Sequence, residues 1–564
     1  MTTMDRRAFT AWFGAAGLSG TLLPGALYAL AAAQERVTRE MVAQAEGIAG
    51  LEFTDAEREQ MVRGLNTALE RFERIRAVPL ANDVPPALHF EPLLPGTRLP
   101  KPRGRFRYTR PRHLRRPARL EELAYWPVTH LAELVRGRQV KPSELTAMYL
   151  DRLRRHGPTL EAVVTLTEQR ALSQAEQADR EIAAGRYRGP LHGIPWGAKD
   201  LLAVAGHPTT WGAEPYREQT LDYDATVVEK LDAAGAILVA KLTLGALAQG
   251  DRWFGGMTRN PWQLDQGSSG SSAGPGAATA AGLVGFAIGT ETLGSIVSPS
   301  TRNGVTGLRP TFGRVSRHGA MALAWSMDKI GPMCRTVEDC ALVFEAIHGP
   351  DGRDPTVHVH QPFDWDPRLE VRALRVGFLE SAFEATDREG QRNPHDLRAL
   401  EAMRALAPAL TPVALPGDLP IAALRFILTA EAAAAFDELT RSGRDELMEA
   451  TSSWPATFRE ARFIPAVEYI QANRVRTLAM RRMDEIMRAV DVFITPSYGG
   501  DVLLLTNLTG HPAVTLPAGF TAEGTPVSVS FIGRLYGEAA LLAVARAWQE
   551  ATGHHLQHPP QFPA

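Results

Sequence analysis

Gly270-Ser271-Ser272-Ala273-Gly274 and, beyond an Ala-rich run, Gly289-Thr290-Glu291-Thr292-Leu293-Gly294-Ser295-Ile296 decide how this chain is read. Each stretch sets a serine in a Gly-rich turn. Upstream, Gly193-Ile194-Pro195-Trp196-Gly197-Ala198-Lys199-Asp200 places a lysine among apolar and turn-forming residues. Glycine allows tight turns in which successive backbone N–H groups converge on one spot and can stabilise a developing negative charge. Ser295 directly follows such a turn.

A serine hydroxyl is a weak nucleophile until a base takes its proton. Lys199 is the candidate base. Lysine titrates at about 10.4 in water, and burial lowers that value by disfavouring the charged form. Ile194, Pro195 and Trp196 on one side and Leu201 and Leu202 on the other supply the apolar surroundings. A hydroxyl both donates and accepts, so Ser271 suits the middle position, passing a proton from Ser295 to Lys199. The order and setting of the three residues follow the logic of Ser-Lys acyl transfer.

Around this core the pattern predicts an α/β fold. Short apolar strands are expected near 161–165, 237–240, 284–288, 374–378 and 490–495, separated by helical segments. Such strands imply a central β-sheet covered by helices on both faces. A region from about 396 to 487 reads as mostly helical. Residues 36–76 read as helical too, with Thr54-Asp55-Ala56-Glu57 as a capping box. A Pro-rich stretch follows to about residue 117 and should run extended. It carries a basic patch with two aromatics, from Lys101 and Arg103 to Arg116, expected to dock on an acidic surface rather than to bind RNA.

The first residues look like an address rather than a fold. Asp5-Arg6-Arg7-Ala8-Phe9 precedes an apolar, small-residue run ending in Ala31-Ala32-Ala33, the layout of a twin-arginine export signal. The expectation is an exported protein, periplasmic or extracellular, with no stable membrane association once the signal is removed. The organisation is therefore read as a signal segment 1–33, a helical then Pro-rich extension 34–120, and one large domain 121–564.

The motifs together resemble the amidase signature family of serine hydrolases. That family usually writes Gly-Gly-Ser-Ser-Gly-Gly-Ser, then Asp-Thr-Gly-Gly-Ser-Ile-Arg. The match here is Ser269 to Pro275 and Glu291 to Val297. Further likeness lies in Gly304-Val305-Thr306-Gly307-Leu308-Arg309-Pro310, in Asp328-Lys329-Ile330-Gly331-Pro332 and in Asn507-Leu508-Thr509-Gly510-His511-Pro512. The resemblance implies a single domain with a mixed central sheet. It also implies Lys199 as base, Ser271 as bridging serine with a cis peptide beside it, Ser295 as nucleophile, and backbone oxyanion donors at Thr292, Leu293 and Gly294. The implied activity is hydrolysis of a carboxamide C–N bond through an acyl-enzyme, with no cofactor and no metal. A small-molecule amide is the implied partner, and a homo-oligomer is compatible with it. Departures are Leu293 for a family Gly, Glu291 for Asp and Val297 for a frequent Arg.

Other readings compete. The same family includes the amidotransferase A-type subunit, which passes ammonia from glutamine to a charged tRNA. A member could also bind a carboxamide without turning it over. Gly270-Ser271-Ser272-Ala273-Gly274 fits Gly-x-Ser-x-Gly with Ser272 as nucleophile, but that elbow needs a strand before it, and Trp262 to Gln266 makes a poor one. Gly274-Pro275-Gly276 lacks the Lys-Ser/Thr of a phosphate loop. With a net charge of -2, no global field recruits nucleic acid or an anionic membrane. Two cysteines, Cys334 and Cys340, exclude a disulfide framework and read as buried fillers.

Overall fold

A computed structural model describes residues 36–78, 80–84, 88–99 and 104–564. The expected signal segment 1–33 lies outside the described residues, as do Lys101 and Arg103. No helix among the described residues is long and apolar enough to cross a membrane.

The chain divides into two compact units. The described part of the first runs from residue 36 to Ala81 and includes Phe463–Pro465. It holds two helices, α1 (Arg39–Ala49) and α2 (Asp55–Arg76). Gly50 in the left-handed conformation (φ 65°) ends α1. The capping box starts α2: Thr54 N–H donates to Glu57 Oε2 at 2.7 Å and Glu57 N–H returns to Thr54 Oγ1 at 3.3 Å. Arg58 ties the two helices through Glu46 at 2.8 Å.

The second unit, Asn82–Arg462 with Ala466–Ala564, is built on a sheet of eleven strands. In chain order they are β1 (Val163–Leu166), β2 (Pro195–Lys199), β3 (Ile237–Leu242), β4 (Phe286–Glu291), β5 (Thr306–Arg309), β6 (Lys329–Cys334), β7 (Val376–Leu379), β8 (Thr411–Val413), β9 (Val492–Pro496), β10 (Ala513–Phe520) and β11 (Pro526–Gly533). Their order across the sheet is β1-β3-β2-β4-β6-β5-β10-β11-β9-β7-β8. The sheet is mixed: β3, β2 and β4 run parallel, as do β9, β7 and β8, while the strands between pair antiparallel.

Alternate side chains of β4 feed different cores. Phe286 and Ile288 join the larger cluster with Trp196 and Leu238, whereas Ala287 joins a second one with Ile237, Val239, Leu150 and Ala278. A strand that buries both of its faces needs cover on both sides, which is why the central strands read as continuous apolar runs. The α/β architecture around a mixed central sheet and the helical N-terminal extension agree with the sequence reading.

The structure adds strands the pattern did not announce. β2, β5, β6, β10 and β11 all contain Gly or Pro, which disfavour a strand in isolation, yet all pair in the sheet. The objection to a strand before Ser271 also fails, because Gln263–Gly267 pairs with Arg259–Asn260 in a small hairpin outside the central sheet. The basic, Pro-rich stretch docks on acidic side chains, with ion pairs Arg107–Asp366 at 3.4 Å, Arg110–Glu133 at 3.4 Å and Arg116–Glu144 at 2.9 Å. Both cysteines are buried and unbridged.

Candidate active site

Parallel strands bring their carboxyl ends to one edge of a sheet, where side chains escape the ladder and can meet a ligand. Lys199 ends β2 at that edge, between β3 and β4. Its side chain is fully buried. Nζ lies 2.8 Å from Ser271 Oγ, 3.1 Å from Ser272 Oγ and 2.9 Å from Thr290 Oγ1. Among the described residues no carboxylate pairs with it. Burial therefore drives the amine down to about 7, with the charges of Asp328 and Glu291 pulling weakly the other way. Lys241 on β3 makes the contrast. It is equally buried but holds an ion pair with Asp200 at 2.7 Å, so its charge is spoken for.

The two serines beside Lys199 precede a short helix, α3 (Ala273–Ala280). The Gly270–Ser271 peptide is cis. Position 270 admits no side chain, since a Cβ there would meet the Gly250 carbonyl oxygen at 1.8 Å. Ser272 is a structural clamp. Its Oγ donates to the Thr290 carbonyl at 3.1 Å and accepts from Thr290 N–H at 3.1 Å. Fully buried and spent on these contacts, it is not an exposed elbow nucleophile. Its backbone N–H donates to the Ser295 carbonyl at 3.2 Å and so fastens the two serine loops together.

The turn carrying Ser295 links β4 to helix α4 (Val297–Asn303). Glu291 organises it from below. Its Oε2 accepts the N–H groups of Ile296 at 2.8 Å and Val297 at 2.9 Å, and its Oε1 accepts from Arg309 at 2.7 Å and Asn507 at 2.9 Å. Burial pushes this carboxyl up, but Arg309 and the backbone donor of Val297 outweigh it and hold it at about 2. Thr292 pins the other side of the turn, donating its hydroxyl to Asp328 Oδ1 at 2.5 Å. Gly294 has φ 86°, a conformation that costs an L-residue strain. Among the described residues, the backbone N–H groups of Thr292, Leu293 and Gly294, the expected oxyanion donors, and that of Ser295 donate to no other protein group. Four successive free donors make the turn a ready site for an oxyanion.

Ser295 is 8% exposed, enough to be reached. No hydrogen bond joins its hydroxyl to that of Ser271 among the described residues. The structure thus brings Ser271 onto Lys199 and ties Ser272 to the Ser295 backbone, leaving the last hydroxyl contact unmade. Hydroxyl contacts of this kind commonly tighten only when substrate is bound.

Sequence reasoning missed Thr290, which supplies one of the three hydroxyls around Lys199, and Asp328, which anchors Thr292. It also missed the support from Arg309 and Asn507. Arg309, Asp328 and Asn507 stood in the stretches that carried the family likeness, so a signal was present without a role attached.

The family description "Amidase" matches residues 144–503. The A-type subunit of glutamyl-tRNA(Gln) amidotransferase from Desulforudis audaxviator (strain MP104C) is 34% identical over 489 residues, covering 77% of this chain and 97% of that protein. Its counterpart from Roseiflexus sp. (strain RS-1) is 35% identical over 476 residues, covering 76% and 96%. Among solved structures, native peptide amidase from Stenotrophomonas maltophilia superposes with a TM-score of 0.70 and 31% identity, covering 79% of this chain and 100% of that one. The chain belongs to the amidase family, the amidase signature enzymes that act on C–N bonds.

Proposed function

We propose that this chain cleaves a carboxamide by acyl transfer to Ser295. Lys199, neutral when unprotonated, withdraws the Ser271 proton as Ser271 takes that of Ser295. Ser295 Oγ bonds to the amide carbon, and the oxygen's negative charge settles on the free N–H groups of the turn. Protonated Lys199 returns the proton through Ser271 to the departing nitrogen, the C–N bond breaks, and an ester on Ser295 remains. Water, activated through the same relay, releases the acid and restores the serine. One observation carries the reading: a fully buried amine, without a carboxylate partner among the described residues, sits 2.8 Å from a serine hydroxyl.

A second fate for the same chemistry has its own support. Curated relatives that match almost end to end are A-type amidotransferase subunits, and they favour this reading over a free-standing hydrolase. There the nitrogen released from glutamine would pass to a charged tRNA with the help of partner subunits. The arginine pair near the N-terminus favours export and solitary action. Turnover of primary amides, anilides and esters by the isolated chain, lost in Ser295→Ala and Ser271→Ala, supports the hydrolase. Ammonia release from glutamine that needs partner subunits, with the chain in the cytoplasm, supports the amidotransferase. Amide binding without any turnover would leave only a carboxamide-binding role.

A further inference from the structure

Lys199 and Thr290 reach each other from neighbouring strands. β2 and β4 run parallel with Ala198 beside Ile288. One residue further along β2 and two further along β4, the amine and the Thr290 hydroxyl lie 2.9 Å apart.

Counting protons at the amine fixes what each hydroxyl can do. A protonated lysine has three N–H donors. Three hydroxyl oxygens lie close to Nζ: Ser271 at 2.8 Å, Thr290 at 2.9 Å and Ser272 at 3.1 Å. The neutral amine has two N–H donors and one lone pair. Ser272 cannot serve the lone pair, because its own hydrogen goes to the Thr290 carbonyl. Its oxygen already takes the Thr290 N–H and has room for one N–H of the lysine. The lone pair must face the Ser271 hydrogen for the relay to run, so the second N–H has to go to Thr290 Oγ1. Without that oxygen, the second N–H is left with the Ser271 oxygen or with the Thr290 carbonyl at 3.4 Å. Donation to Ser271 turns the lone pair away from the proton it should receive.

We propose that Thr290 is a positioning residue for acyl transfer: its hydroxyl oxygen aims the Lys199 lone pair at Ser271 and then accepts the third N–H of the ammonium that the relay creates. The proposal rests on the acyl-transfer reading of Ser295. Among the described residues no carboxylate meets this ammonium, so neutral oxygens alone replace its water, and Thr290 supplies one of three. Removing it weakens the charged form specifically. The charged groups around the pair keep their own partners. On β3 Lys241 holds Asp200 at 2.7 Å, and on β4 Glu291 holds Arg309 at 2.7 Å. Ahead of β6, Asp328 accepts from Thr292, and Lys329 donates to the Met327 carbonyl. Arg317, paired with Asp354 at 2.9 Å, and His318 line a cavity together with Thr290. All of these are common to native protein and variant and drop out of the comparison.

The test sets Thr290→Val and Thr290→Ala, which lack the oxygen, against Thr290→Ser, which keeps it. Loss of one hydrogen bond to a charged group should lower kcat about tenfold to a hundredfold in the first two, with KM for an amide little changed. Burial places the native amine at about 7. With one acceptor fewer the ammonium forms less readily, so the acid limb of kcat/KM should move down by about one pH unit. Thr290→Ser should restore both rate and limb. A limb that stays in place in the valine and alanine variants, or a serine variant no better than alanine, overturns the proposal and leaves the amidase reading intact. Should no amide be turned over, the amine is titrated directly by NMR of protein carrying lysine isotopically labelled at Cε. The chain has six lysines, and loss of one signal in Lys199→Met assigns the right one. A midpoint lowered in Thr290→Ala and restored in Thr290→Ser upholds the role; an unchanged midpoint refutes it. Should one of the two truncations fail to fold, the other decides with the serine variant.

Discussion

Replacing Lys199 by methionine should change how stability depends on pH, and the size of the change follows from burial alone. The lysine titrates at about 10.5 in the unfolded chain and at about 7 in the folded protein, because desolvation disfavours its charge. Between those values the unfolded chain binds a proton that the folded protein does not. Stability must therefore rise with pH by roughly 1.4 kcal/mol per unit across that window. The full span is about 5 kcal/mol, and the part between pH 7.5 and 9.5 is about 2–3 kcal/mol. Below pH 7 the penalty is complete; above 10.5 it is gone. Methionine fills a similar volume without the amine, so its variant lacks this slope. The hydrogen bonds lost from Ser271, Ser272 and Thr290 shift its stability by an amount that does not vary with pH and cancels from the comparison. Lys241 and Lys329 are common to both proteins and cancel as well. Denaturant titrations of the two proteins at pH 7.5 and 9.5 measure the difference. Native protein should gain about 2–3 kcal/mol on the variant as pH rises. Parallel curves would refute the claim that this amine is stripped of charge by burial. The same titration should appear in catalysis: kcat/KM rises through about pH 7 and then levels, as the base loses its proton.

Glu291→Gln removes the charge that balances Arg309 in a site where both are fully buried. Breaking such a pair should cost about 3–5 kcal/mol, read as a fall in denaturation midpoint, and a cost under about 1 kcal/mol would contradict the role of Glu291 under the turn. Gly294→Ala puts a Cβ at φ 86°, at 3.2 Å from both Leu503 Cδ2 and Ser298 Oγ. We expect a modest stability loss of about 1–2 kcal/mol together with a fall in kcat of about a hundredfold, because the turn's free donors are displaced. Circular dichroism would show the fold retained; full activity would show that the turn does not hold the oxyanion.

The catalytic candidates were legible because their chemistry is local. Gly294 before Ser295, Gly270 before Ser271, and Ile194-Pro195-Trp196 before Lys199 each announce a special backbone or an apolar setting within a few residues. What supports them was not legible, since it arrives through sheet pairing. The β4–β6 register is what sets Lys329 opposite Glu291, and Arg309 reaches Glu291 from β5. The strand identity of β2 was hidden as well. Pro195 and Gly197 read as turn formers in isolation, and only parallel pairing with both β3 and β4 makes the segment extended. The first unit shows the opposite case: the Thr54–Glu57 box involves neighbours in sequence, and it formed where the pattern put it.

Mass spectrometry after treatment with a fluorophosphonate serine probe tests the account most directly. A single adduct on the peptide containing Ser295 is expected at pH 8, forming far more slowly in Lys199→Met. An adduct on Ser272, or undiminished labelling of Ser295 without the lysine, would contradict it.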